Sequence, residues 1–183
     1  MNIYNQDKTK LVNSVFSKVH KNYDLMNDLM SLGVHRLWKR NLITWMNPQP
    51  ENKIIDVASG TGDLAKMISQ KNKNRNIFCC VEPNQGMFDT GKKKLRSLTN
   101  IAWYLNSAEK LPFQENTFDF YTISYGIRNV TDINQCLKEA YRVLKPGGRF
   151  FCLEFSKVEN EILKLLYQQY SKLLPLIGKF VVG

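Results

Sequence analysis

Asp56, Asp63 and Glu82 are carboxylates placed around a run of small residues. In IIDVASGTGDLA (Ile54 to Ala65) an apolar run leads into Asp56, Gly60-Thr61-Gly62 follow, and Asp63 stands where a helix should begin. Gly60 to Ala65 fits G-x-G-x-x-A, a turn in which bare backbone meets a ligand at the start of a helix. Glycine permits positive φ there and leaves no Cβ in the way. A helix N-terminus attracts anions such as a pyrophosphate. Asp63 puts negative charge at that spot, and Asp56 adds another just before the turn. A carboxylate there caps a helix well but opposes a phosphate. The turn is expected to hold a ligand with a positive centre and no phosphate. The alternative is a tight strand–helix turn with no ligand at all.

S-adenosylmethionine is such a ligand, with a sulfonium, an ammonium, a carboxylate and an adenosine. Further polar residues fall where that molecule needs them. Glu82, 26 residues after Asp56, ends the next apolar run. An acid there accepts from both ribose hydroxyls; its alternative is a surface acid before Pro83. Ser107-Ala108-Glu109 follow the third run, where the adenine edge would lie, and Ser124-Tyr125-Gly126 end the fourth. No metal is expected. Cys79, Cys80, Cys136 and Cys152 form no CxxC pair, and His20 and His35 lie far from them in sequence. Buried thiols in a reducing compartment are the expectation, against disulfides or a metal site.

The elements that must position these residues follow from the patterning. Val12, Val15, Phe16 and Val19 recur at helical spacing within Lys8 to Val19, and His35 to Met46 is a second amphipathic helix, stopped by NPQP. Strands and helices then alternate: KIIDVA, helix Gly62 to Gln70, NIFCCVE, helix Gln85 to Leu98, IAWYL, FDFYTISY, helix Ile133 to Leu144, GGRFFCLEF and a helix over Ile162 to Leu174. KPGG (Lys145 to Gly148) is a sharp turn feeding the fifth strand. Such alternation predicts an α/β fold, a mostly parallel Rossmann-like sheet with helices on both faces. The candidate residues then gather at the carboxyl ends of the strands, around the switch between strands one and four.

At 183 residues the chain reads as one domain, with residues 1–50 as an N-terminal helical region and 51–183 as the core. No apolar run approaches the length of a membrane span, and the N-terminus lacks a signal or transit character, so the protein is expected to stay in the compartment that makes it. The net charge is +10. Between Leu64 and Asn100, eight Lys/Arg face only Glu82 and Asp89. That excess invites an anionic partner, nucleic acid or an acidic lipid surface, or is simply a solvated basic face.

Four stretches carry a resemblance: YDLMNDLMSLGVHRLWKR (Tyr23 to Arg40), GTGDLA, LPFQENTFDFYTISYGIRNVTD (Leu111 to Asp132) and YRVLKPGGRFFCLEFSK (Tyr141 to Lys157). Together they resemble the ubiquinone/menaquinone biosynthesis C-methyltransferases, a class I family that uses S-adenosylmethionine. The resemblance spans roughly Val15 to Val181. MNDLMSLGVHRLWKR and GIRNVTD are specific to that family, whereas GTGDLA and LKPGGR mark class I methyltransferases generally. It implies methyl transfer to a ring carbon of a polyprenylated benzoquinol or of demethylmenaquinol. It also implies cofactor contacts at Thr61, Glu82, Ser107, Ala108 and Ser124, beside Asp56 and Gly60 from the turn itself. The chain departs from the family pattern at Ser107, where Asn is usual, and at Glu82, where Asp is usual. Arg128 and Asn129, beyond strand four, are placed to bind a developing phenolate, with proton removal through a water because an arginine is a poor base; the alternative for Arg128 is a surface salt bridge. Tyr23 resembles a tyrosine that lines the family's site, or is a core aromatic. Leu25, Met26, Leu29, Met30, Leu32 and Trp38 form either a lid over a greasy substrate or ordinary packing.

The family's sheet has seven strands ending in an edge hairpin, and the alternation here supplies five. The C-terminal hairpin is therefore expected to be absent and strand five to be an open edge. A polyprenyl substrate and a basic surface together imply peripheral membrane contact in the cytoplasm, on the inner membrane, or on the matrix side in a mitochondrion. A quinone-synthesis enzyme complex and a homodimer are further partners considered, and nucleic acid is not expected. The competing activities are an RNA or protein methyltransferase, disfavoured by SYGIRN where an N/D-P-P-Y-type motif would stand, and a non-catalytic cofactor-binding scaffold subunit. An NAD-dependent dehydrogenase is disfavoured by the acidic turn.

Overall fold

The computed structural model describes residues 23–31, 33–156 and 170. The helices predicted over Lys8 to Val19 and Ile162 to Leu174 lie outside the described residues except for Tyr170, whose hydroxyl donates to the Leu29 carbonyl. In chain order the elements are α1 (Tyr23–Ser31), α2 (Val34–Met46), β1 (Lys53–Val57), α3 (Asp63–Lys71), β2 (Ile77–Val81), α4 (Gln85–Lys94), β3 (Ile101–Tyr104) and β4 (Phe118–Ser124). A 3-10 turn (Ile127–Asn129), α5 (Ile133–Val143) and β5 (Leu144–Leu153) complete them.

The strands form one sheet in the order β3-β2-β1-β4-β5, parallel throughout. The chain steps outward from β1 to β3, then returns to the other side of β1 for β4. Connections diverge at that reversal, which leaves a crevice at the carboxyl ends of β1 and β4.

Side chains alternate across β1. Ile55 and Val57 join Val81, Tyr121 and Ile123 under Cys136, Ala140 and Val143 of α5. Ile54 points the other way, into a cluster with Phe78 and Phe120, Leu42 and Met46 of α2, and Leu64 and Ile68 of α3. Helices therefore cover both faces, as the alternation predicts. Each fully buried Ile, Val or Phe here contributes about 1.5–3 kcal/mol, which fixes the register that carries Asp56 to the α2–α3 face.

Two basic forks hold the periphery. Arg149 of β5 donates to the Met46 carbonyl at the end of α2 and lies over the Phe120 and Phe151 rings, at 4.9 and 5.4 Å. A cation at a helix C-terminus also opposes the helix dipole favourably. Arg142 of α5 grips Glu139 through two nitrogens, each at 2.7 Å, and donates to the Phe113 and Leu111 carbonyls. The Glu139 carboxylate accepts from the Leu111 N–H in return. The LPF and YRVL stretches thus work as one clamp.

Gly91 lets α4 approach the sheet, because a Cβ there would lie 2.2 Å from the Trp103 ring. Gly91→Ala is expected to cost about 1–3 kcal/mol through overpacking, read as a lowered melting temperature. An unchanged melting temperature would mean that Trp103 yields freely.

Three expectations are corrected. KPGG does not precede β5 but lies within it: Phe118 pairs with Leu144 and Phe120 with Arg149, so Lys145 to Gly148 bulge out of the ladder. Gly147 takes φ 79° there. Helix α4 ends at Lys94 rather than Leu98, and Leu95 turns inward as a buried cap. Cys79, Cys80 and Cys136 are buried, but Cys152 is exposed. Phe150, two residues earlier on the same face of β5, is also exposed.

Candidate active site

The turn after β1 is built from left-handed residues. Ala58, Gly60 and Gly62 have φ of 52°, 57° and 80°. A non-glycine residue at positive φ is uncommon, and such strain gathers at functional sites. The Ser59 N–H donates to the Val81 carbonyl at 3.2 Å, and Gly62 precedes α3 without a side-chain cap. Glu82 fastens the turn to the next strand. One carboxylate oxygen accepts from the Gly60 N–H at 2.8 Å and the other from the Asn84 N–H at 2.9 Å. Burial raises the Glu82 pKa, while the two backbone bonds oppose that rise. Asn84 in turn caps α4 by accepting from the Met87 N–H. Glu82 thus sits at the end of β2 where a ribose acid was expected, and it also braces the turn.

Asp56 is buried beneath the turn and accepts from the Thr122 hydroxyl at 2.7 Å, a partner directly across in β4. Burial raises its pKa to about 7, against the pull of Thr122 and Lys39. Asp63 opens α3 between two ammoniums: Lys39 Nζ at 3.3 Å and Lys94 Nζ at 2.8 Å. Burial pushes Asp63 upward, but Lys39 and Lys94 outweigh it and hold the carboxyl below its usual range. Lys94 also donates to the Thr61 hydroxyl. The sequence argument treats Asp63 as bare negative charge at the helix start. The structure corrects it, because two lysines from α2 and α4 compensate that charge.

Asp56 gives a test by pH. Folded, its carboxyl holds a proton up to about pH 7; unfolded, only up to about pH 4. Between those values the unfolded chain binds fewer protons, so stability falls as pH rises through the window. Asp56→Asn keeps an acceptor for Thr122 and removes that slope. Its melting temperature is expected to match the wild type near pH 4 and exceed it at pH 8. Parallel pH profiles would refute the assignment.

The turn after β4 meets the turn after β1. Tyr125 has φ 58°, and a Cβ on Gly126 would lie 2.5 Å from the Ala58 Cβ. Ser124 ends β4 with its hydroxyl buried and without a hydrogen-bond partner among the described residues. Arg128 and Asn129 follow in the 3-10 turn. Arg128 Nη1 lies 3.1 Å from Glu154 Oε1, and its guanidinium is 4.9 Å from the Phe155 ring centroid. Phe155 also meets Tyr125 at 4.9 Å and Trp38 of α2 at 5.8 Å. The ion pair considered for Arg128 is therefore present, within an aromatic cluster beside the crevice.

Ser107 and Ala108 lie on the loop after β3, Ser107 exposed and Ala108 buried. Glu109 next to them accepts from the Thr131 and Asp132 N–H groups, tying that loop to the start of α5. Tyr23 opens α1, but its side chain is outside the described residues, as are those of Met26, Met30 and Leu32. Of the predicted lid, Leu25 is half-exposed and Trp38 packs on Phe155. Lys39, Lys94, Glu154 and Phe155 escape the sequence reading. Only Glu154 carries a signal in it, as an acid at the carboxyl end of a strand.

Asp56, Gly60, Thr61, Glu82 and Ser124 thus share the β1/β2/β4 edge. The left-handed turn and the solitary Ser124 hydroxyl fit a ligand lying along that edge, such as S-adenosylmethionine. Among the described residues no group of three or more His, Cys, Asp or Glu is placed to hold a metal ion.

Comparison with known proteins gives the family. The model of the ubiE/COQ5 methyltransferase family matches residues 3–183. The ubiquinone/menaquinone biosynthesis C-methyltransferase UbiE of Rickettsia bellii (strain OSU 85-389) is 52% identical over 184 residues, which cover 97% of this chain and 74% of that protein. The mitochondrial 2-methoxy-6-polyprenyl-1,4-benzoquinol methylase of Dictyostelium discoideum is 43% identical over 210 residues, covering 97% of this chain and 67% of its own. A SAM-dependent methyltransferase from Aquifex aeolicus superposes with a TM-score of 0.62 at 16% identity, over 72% of this chain and 78% of that one. That likeness establishes the fold, and the sequence matches carry the rest: this chain is a methyltransferase and belongs to the ubiE/COQ5 methyltransferase family.

Proposed function

We propose that the protein transfers the methyl group of S-adenosylmethionine to a ring carbon of a polyprenylated benzoquinol (a 2-polyprenyl-6-methoxy-1,4-benzoquinol), of demethylmenaquinol, or of both. The observation that carries this reading is the identity to relatives named for those reactions across 97% of the chain. The donor's sulfonium supplies an already activated methyl, so the chain's own work is placement and charge. The turn at Gly60 and Thr61 offers backbone for close approach, and Asp56 lies beneath it, bonded to Thr122. Glu82 serves the ribose while bracing the turn, Ser107 and Ala108 the adenine edge, and Ser124 offers its free hydroxyl. Arg128 and Asn129 stabilise negative charge on the quinol oxygen. Arg128 stays protonated, so the proton leaves through a water. Tyr23 at the start of α1 orients the quinol or that water.

A basic surface supports peripheral contact with an anionic membrane. Lys66, Lys71, Lys73, Arg75, Lys92 and Lys93 are all exposed on or just after α3 and α4. Each such lysine near an anionic surface contributes about 1 kcal/mol. Among the described residues no helix is long and apolar enough to cross a membrane. An exposed stripe of Ile133, Leu137 and Tyr141 on α5 supports a protein contact, with a second copy or with another enzyme of quinone synthesis. The same basic surface favours a second reading, RNA methylation.

The test incubates the protein with labelled donor and either reduced demethylated quinols or RNA. Label in the quinol is the expected result. Label in RNA alone would overturn the reading, and folded protein that fails to bind the donor in calorimetry would favour a scaffold.

A further inference from the structure

Lys39 belongs to α2, outside the sheet, yet only 8% of it is exposed. Among the described residues the one hydrogen bond of its ammonium is to Asp63 Oδ2 at 3.3 Å, long for a charge-assisted bond, which is usually about 2.7–2.9 Å. Asp63 is held more closely by Lys94, at 2.8 Å. One carboxylate is thus divided between two ammoniums. An ammonium carries three N–H donors, and a buried cation is costly unless anions or acceptors surround it. The other acid that acts on Lys39 is Asp56, whose own burial favours its neutral form. The place above the turn is therefore short of one anion.

We propose that Lys39 is the counter-charge for the carboxylate of the methyl donor, and so a specificity-determining residue for a donor carrying an intact amino-acid end. The inference rests on the reading that the donor occupies the Gly60–Gly62 turn. Lys39 reaches Asp63 at the start of α3, so its ammonium sits at the end of that turn nearest the helix. The Thr61 hydroxyl lies alongside, while the Ser59, Gly60 and Gly62 N–H groups are already used within the protein. The donor has a single anionic group, and Lys39 is the buried cation with donors to spare. Lys94 is already committed to both Asp63 and Thr61. Binding then replaces a long, shared contact with a short, dedicated one.

The test compares ligands that differ in that group: S-adenosylmethionine, its decarboxylated analogue, and NAD as a diphosphate-bearing control, titrated against wild type, Lys39→Met and Lys39→Arg. Wild type is expected to prefer the carboxylated donor by about tenfold to a hundredfold, the range of a charged hydrogen bond. Lys39→Met should erase that preference by weakening the carboxylated donor alone, with decarboxylated binding within about twofold of wild type. Lys39→Arg should keep most of it. Equal weakening of both donors by Lys39→Met would show that Lys39 merely anchors α2, and would overturn the proposal. Absence of a preference in the wild type would overturn it without any variant, should Lys39→Met fail to fold. Binding of NAD with exclusion of both donors would instead overturn the underlying reading of the turn.

Discussion

Arg128→Ala is expected to lower turnover of the quinol about a thousandfold while donor affinity stays within about twofold. The size is that of removing a preorganised donor aimed at developing negative charge, about a hundredfold to a thousandfold. Preorganisation is visible in the structure. Glu154 holds one nitrogen at 3.1 Å and Phe155 supports the guanidinium at 4.9 Å, so the side chain need not search for its rotamer. The competing view is a structural ion pair with Glu154. The Arg128 side chain is 48% exposed, and such a pair is worth at most about 1 kcal/mol. That view predicts a small drop in melting temperature and near-normal turnover. Arg128→Lys separates the two further, because it keeps the charge but loses the planar fork; its turnover is expected between wild type and alanine. A large loss of donor affinity in Arg128→Ala would assign the residue to the donor instead.

Glu82→Ala is expected to weaken S-adenosylhomocysteine binding about a hundredfold and to lower the melting temperature. Its carboxylate satisfies the buried N–H groups of Gly60 and Asn84. Each donor left without a partner costs about 1–3 kcal/mol. The losses fall on the turn itself, which then no longer holds the left-handed φ of Gly60 without its brace. Glu82→Asp, one methylene shorter, keeps the charge and is expected to bind within about tenfold of wild type. Wild-type affinity in Glu82→Ala would remove Glu82 from the donor site.

The sheet was legible because its strands are short apolar runs, each closed by a polar residue and a turn. KIIDVA and NIFCCVE announce β1 and β2, and the pairing of Asp56 with Cys80 and Thr122 follows from their parallel alignment. At KPGG the local signal and the structure differ. A Pro-Gly pair signals a turn locally, but whether pairing begins before it depends on Phe118, 26 residues earlier in the chain from Leu144. Cys152 is exposed for a related reason. FFCLEF is apolar throughout, and burial depends on what covers each face of β5. At the site, the turn residues and Glu82 could be placed from spacing, since strand ends gather at one edge. The charge balance could not. Lys39 and Lys94 reach Asp63 from 24 and 31 residues away, on two different helices, and nothing in either local pattern marks them apart from other surface lysines.

Trp38 and Lys39 are consecutive on α2 and leave the helix about 100° apart. One side chain enters the aromatic cluster over Arg128 and the other the donor turn. A single helix therefore touches both the Arg128 cluster and the Gly60–Gly62 turn; with donor and acceptor seated as proposed, the first to settle on it would prepare the place of the other. The consequence is mutual assistance rather than independent loading: each would raise the affinity for the other by the same factor, whichever arrives first.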